Sequence, residues 1–161
     1  MSQEQELDSF WGFISRSIER IIACLDGLPA DELNWRPLEN ANSLYVLATH
    51  ILGTTEENIL GVLCGQPVQR KRAEEFAARG TSVEPIRQRW HALQERIRQN
   101  LEGLPAGELD REREHPRRGK LTGREVLIVV ARHASEHMGQ AELTRDLLFV
   151  QQGRTPPPRE Y

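Results

Sequence analysis

His133 and His137 stand four residues apart in a stretch, Val129 to Gln140, that reads as one long helix. Four residues make slightly more than one turn, so both imidazoles leave the same helix face, one above the other. Val126, Val130, Ala141 and Leu148 fall on that face too, with Thr144 as its polar member. Two neutral imidazoles held in an apolar stripe are two ready ligands for a divalent metal ion. The pair alone is a weak signal, because a histidine on an apolar face is more often a hydrogen-bonded core residue than a ligand. The chemistry therefore turns on a third ligand.

Three other histidines are available. His115 lies in the charge run Arg111–Arg118 and reads as a surface residue; His91, beside Trp90, reads as flanking or surface. His50 is different. It sits mid-helix and shares a face with Val46, Leu47, Thr54 and Glu57, so its ring is expected to point inward. Three histidines facing one interior make a metal site the better reading, with hydrogen-bonded core histidines as the alternative. A zinc-protease helix needs glutamate directly after the first histidine; here that position is Ala134, and Glu136 precedes His137, which argues against that chemistry.

The remaining polar candidates have plainer readings. Glu57 lies two turns from His50, about 10 Å along the helix, too far for ready co-ligation. It reads first as a rim or surface glutamate paired with an arginine, second as a group on the substrate side. Thr144 reads as a hydroxyl bonded back to its own helix. Cys64 reads as a small hydrophobe at a helix end rather than a nucleophile.

Four long helices must position these residues. The first is expected from Gln3 to Asp26, with Leu7, Phe10, Trp11, Ile14, Ile18, Ile21, Ile22 and Leu25 on its inner face and Gly27 as its stop. The second runs from Leu44 to Leu63, capped by Asn42 or Ser43. A polar connection, Gly65 to Gly80, holds a turn or two of helix at Ala73–Ala78. Thr81 or Ser82 caps the third helix, whose stripe is Val83, Ile86, Trp90, Leu93, Ile97, Leu101 and Leu104. After a charged loop, Asp110–Lys120, Thr122 caps the fourth, which runs to Gln152. The tail 153–161, with three consecutive prolines, is expected to be extended. No segment shows sustained strand alternation, so the expected class is all-α: a four-helix bundle with a long crossover between the second and third helices.

An internal echo pairs Leu25-Asp26-Gly27-Leu28-Pro29-Ala30-Asp31-Glu32-Leu33 with Leu101-Glu102-Gly103-Leu104-Pro105-Ala106-Gly107-Glu108-Leu109. It reads either as two solutions to one helix-stop problem or as a duplicated helical hairpin.

Composition sets the outer bounds. The 161 residues fit one domain, 1–161, and carry 38% hydrophobic and 28% charged side chains, which argues against disorder. A net charge of −3 supplies no basic field for nucleic acid. The apolar runs are too short for a membrane span and the N-terminus does not read as a signal peptide. Two cysteines, Cys24 and Cys64, make no framework, and a cytoplasmic location is the expectation.

The segment Leu33-Asn34-Trp35-Arg36-Pro37, followed by Asn42-Ser43-Leu44 and Leu47-Ala48-Thr49-His50-Ile51, resembles the start of a DinB/YfiT-like protein. So does His133-x-x-x-His137-x-Gly139-Gln140 followed by Arg145, and the resemblance covers nearly the whole chain. It implies an up-down-down-up bundle, a divalent metal, commonly zinc or nickel, held by His50, His133 and His137, and a homodimer. The run from Met138 to Arg145 looks nearest to the thiol-transferase branch of the superfamily.

Three neutral ligands would leave such an ion with an open position. There it would lower the pKa of a bound water to about 7, or hold a low-molecular-weight thiol as thiolate. The expected function is thus a metal-dependent hydrolase or thiol S-transferase acting on a small-molecule electrophile; the alternative is a non-catalytic, stress-related protein that binds a metal or ligand.

Overall fold

Short polar side chains cap the starts of three helices in this chain. In the computed structural model, which describes residues 2–159, Ser2 and Gln5 form a reciprocal capping box at the start of α1 (Gln3–Ala23). A short helix α2 (Ala30–Leu33) follows, and α3 (Leu44–Thr55) begins where Ser43 accepts a bond from the Val46 amide at 3.2 Å. Of the two caps expected there, Ser43 serves. Thr122 and Glu125 form a second capping box at the start of α6 (Gly123–Gln151), the helix that carries the histidine pair.

The third long helix departs from expectation. α5 spans Glu84–Glu102, and neither Thr81 nor Ser82 caps it. Val83 holds the cap position with no side-chain bond, and its carbonyl takes the first two helical amides, from Ile86 and Arg87. Pro85 explains the change: its ring presets the helical φ and lacks an N–H that would need a cap.

The second long helix is not uniform. From Glu56 to Leu63 it widens into a π-helix, with the Cys64 amide reaching the Ile59 carbonyl. Asn58 marks the widening, its side-chain amide donating to the Thr54 carbonyl at 2.8 Å. Thr55, at the join, is fully buried with an unpartnered hydroxyl. The segment was read as plain α-helix; its hydrophobic pattern does not distinguish i→i+4 from i→i+5 bonding.

Two four-residue strands, β1 (Glu112–His115) and β2 (Gly119–Thr122), pair antiparallel within what was expected to be a charged loop. Glu112 faces Thr122 and His115 faces Gly119, whose φ of +72° closes the turn. The strands are too short and too charged for alternation to show in the sequence.

The molecule is mainly helical with this one small sheet among the described residues. α1 packs on α6 and α3, α3 on α6, and α5 on α1, α3 and the π-helix. Between them lie Ile14, Ile18 and Ile21 of α1, Leu47 and Ile51 of α3, Trp90 and Ile97 of α5, and Val126, Val130, Ala141 and Leu148 of α6. Each large aliphatic residue so buried contributes about 1.5–3 kcal/mol. The inner stripes thus fall where the periodicity placed them.

The echoed segments share their anchors but not their backbone. Leu25, Leu33, Leu101 and Leu109 are all buried. Gly27 is left-handed, with φ +69°, and α2 follows; Gly103 is not, and the chain instead turns at Gly107, with φ +86°. The crossover carries α4 (Arg72–Phe76) and is latched at its end, where Asn34 donates to the Gly80 carbonyl at 2.7 Å and accepts from its amide at 3.0 Å. A Cβ on Gly80 would run into the Tyr45 ring. Of the tail expected to be extended, residues 154–159 have no regular secondary structure, 160–161 lie outside the described residues, and Arg154 ties the segment to Glu32 at 2.7 Å. Among the described residues no helix is long and apolar enough to cross a membrane.

Candidate metal centre

α3 presents His50 and α6 presents His133 and His137 to a common point. His133 Nε2 lies 3.1 Å from Nε2 of His50 and 3.1 Å from Nε2 of His137. All three ligand nitrogens lie within 4.8 Å of one another. His50 and His137 are buried, while His133 keeps 23% of its side chain exposed, giving the cluster one face toward solvent. The i,i+4 pair and the inward face of the second long helix were expected to do this.

The partners of the outer ring nitrogens bear on what the cluster could hold. His50 Nδ1 lies 2.9 Å from Glu75 Oε2, which only accepts, and 3.3 Å from Arg70 Nη2, which only donates; the shorter contact assigns a proton to Nδ1. His137 Nδ1 lies 2.8 Å from Gln140 Oε1, again an acceptor. As neutral rings, both would turn a bare Nε2 lone pair toward His133. Nε2 of His133 has one proton at most, so at least one lone pair would converge on the others without a proton of its own. An ion about 2.0–2.1 Å from each nitrogen would resolve this, and such an ion sets its ligand nitrogens a little over 3 Å apart. The donor set fits a divalent metal.

The electrostatics agree. Burial, then the neighbouring His137 and His50, push His133 down to about 3, and burial lowers His137 as well. Neutral imidazoles at these two positions suit a metal, which binds the unprotonated ring.

The residues around His50 come largely from the crossover, where the sequence offered no signal. Burial alone would raise the Glu75 carboxyl, but hydrogen bonds from Arg70 and His50 outweigh it and hold it at about 2. Arg70 donates to Glu75 Oε1 and Oε2, both at 2.7 Å, to Thr54 Oγ1 at 2.8 Å and to Glu57 Oε2 at 3.0 Å. Glu57 is bound on its other side by Arg117. The paired-arginine reading of Glu57 therefore holds. Phe76 stands with its ring centroid 4.7 Å from that of His50, and the Arg72 guanidinium lies 4.8 Å from the Phe76 centroid.

His115 is a correction. It is buried, not on the surface; its Nε2 lies 2.9 Å from Asn58 Oδ1, and its Nδ1 accepts from the Arg117 amide at 3.1 Å. β1 turns it inward under the charged hairpin, and burial, then Arg117, lowers its pKa. His91 is exposed, within the flanking-or-surface reading. Cys64 is half-buried at the end of the π-helix, and burial pushes its thiol up to about 11, which fits a hydrophobe better than a nucleophile. Arg145 pairs with Asp146 at 2.9 Å and lines a cavity of about 700 Å³ between α1 and α6.

The comparisons with known proteins agree with this architecture. A family model described as the DinB superfamily matches residues 14–141. A crystal structure of a conserved protein from Enterococcus faecalis superposes with a TM-score of 0.71 at 17% identity, covering 88% of this chain and 95% of that one. A DinB-like protein from Bacillus cereus superposes with a TM-score of 0.68 at 19% identity, covering 92% and 96%. At these identities the structures speak for the fold alone. No curated protein matches the sequence significantly.

Proposed function

The chain belongs to the DinB superfamily, and from that premise we propose that His50, His133 and His137 hold a divalent metal, zinc or nickel, at the centre of a hydrolase or low-molecular-weight-thiol S-transferase. The observation that carries this reading is the convergence of three imidazole Nε2 atoms, two of them on rings whose outer Nδ1 meets an acceptor oxygen, of Glu75 and of Gln140. A bound ion supplies Lewis-acid activation of a small nucleophile, water or thiol, at neutral pH. The protein's own share is positional. α3 and α6 set the ligands, Phe76 packs against His50, and partly exposed His133 marks the side from which a small electrophile enters. The four long helices are taken as an up-down-down-up bundle, in keeping with their mutual packing. Leu143, Leu147 and Val150 form an exposed apolar stripe on α6, which supports a homodimer.

One observation favours a non-catalytic, ligand-binding reading. The acids nearest His50, Glu75 and Glu57, are both committed to arginines and do not stand ready as general bases. Elemental analysis of the purified protein, followed by a panel of thiols with electrophiles and of esters, separates the two. Stoichiometric metal with turnover that disappears in His133→Ala supports the enzyme. Metal without turnover supports the binding protein, and a metal-free protein whose melting ignores added zinc rules out both.

A further inference from the structure

Glu75 is the one buried carboxylate in a connection that is otherwise mostly exposed. It sits in a five-residue helix that packs on α3. Gly53 makes the approach possible. It lies three residues after His50 on α3, and a Cβ there would overlap Glu75 Oε1 and stand 2.8 Å from Glu75 Cδ. Glycine inside a helix is destabilising against alanine, and here the absent side chain is the space the carboxylate fills.

We propose that Glu75 is the positioning residue of the metal centre and Gly53 its seat: the carboxylate, lodged against the ligand-bearing helix, fixes which nitrogen of His50 faces the ion. Glu75 Oε2 accepts the Nδ1 proton at 2.9 Å, leaving Nε2 to ligate. Arg70 holds both carboxylate oxygens and also bonds Thr54 on α3, so the carboxylate cannot swing away without breaking a buried ion pair. Phe76, the next residue, packs on the same ring. Two adjacent side chains of the crossover thus grip one ligand, and an ion at the centre would hold the crossover down in turn. A carboxylate on the outer nitrogen of a ligating histidine also raises its basicity, and losing one costs about 10–100-fold in metal affinity.

This inference rests on the three histidines holding an ion, and its test separates the two claims. Wild type, Glu75→Ala, Glu75→Gln, Gly53→Ala and the Gly53→Ala/Glu75→Ala double variant are titrated with zinc against a chromophoric chelator. The tautomer of His50 in the metal-free proteins is read by long-range ¹H–¹⁵N correlation, with thermal melting alongside. Glu75→Ala is expected to weaken zinc binding about 10–100-fold and to release His50 into a mixture of tautomers. Glu75→Gln keeps an acceptor oxygen, so it retains the tautomer and recovers part of the affinity. Gly53→Ala matches Glu75→Ala and adds nothing in the Glu75→Ala background, the non-additivity of one shared contact. Zinc affinity unchanged in Glu75→Ala, or losses that simply sum in the double variant, overturns the proposal. If wild type binds no zinc the metal reading fails, while a His50 tautomer indifferent to Glu75→Ala overturns the positioning role whatever the zinc result. Should Glu75→Ala not fold, Gly53→Ala carries the same comparison with the Glu75 carboxylate retained.

Discussion

His50 and His137 each turn one nitrogen to the cluster and the other to a fixing partner, Glu75 for the first and Gln140 for the second. His50 and His137 were legible because helical periodicity places a ring on a face. Glu75 was not, because a contact across 25 residues of polar crossover leaves no local pattern. His115 misled for the opposite reason, since its neighbours are charged while its own ring is buried. It gives the clearest single-residue prediction. Asn58→Leu strips His115 Nε2 of its partner and frees the Thr54 carbonyl, and should cost about 1–3 kcal/mol in urea unfolding. The pH dependence has a definite sign. His115, His133 and His137 are all lowered from 6.5 in the folded protein, so below that value the unfolded chain takes up protons the folded one refuses. The urea midpoint of the metal-free protein should therefore fall between pH 7.5 and 5.5. Glu75 adds nothing to that window: its folded value of about 2 makes its contribution full above 4.5 and lost only as pH drops further.

Elements were legible where a repeating face or a cap announced them and obscure where bonding changed without a change of pattern. All four long helices were found, and so was the turn of helix in the crossover. The π-helix and the hairpin were not. Backbone bond offset leaves hydrophobic spacing almost untouched, and four-residue strands of Glu, Arg and Lys look like a loop. The caps give a measurable contrast. Thr122→Ala removes the hydroxyl half of the α6 capping box, the acceptor of the Glu125 amide, while the Thr122 amide keeps its bond to Glu125; it should lower stability by about 1 kcal/mol, seen as a reduced urea midpoint with an unchanged slope. Ser82→Ala, before a helix whose start Pro85 presets, should leave the midpoint in place.

At the scale of the molecule, the centre joins helices far apart in sequence, α3 to α6, and a grip of that kind is visible in the melting curve. Zinc at one hundred times its Kd should add about 2.7 kcal/mol, or roughly 5–10 °C in Tm for a chain of this size. Differential scanning calorimetry with zinc and then with chelator checks the gain and its reversal. In His133→Ala neither addition should move the transition. The vacant side of Gly53 has a consequence on a longer timescale. Where a descendant of this chain has lost the acid at position 75, the room it occupied lies open, and selection for a sturdier helix would favour alanine at position 53. Where the acid persists, that route is closed. The two positions should drift together across related genomes, the glycine changing only after the glutamate has gone.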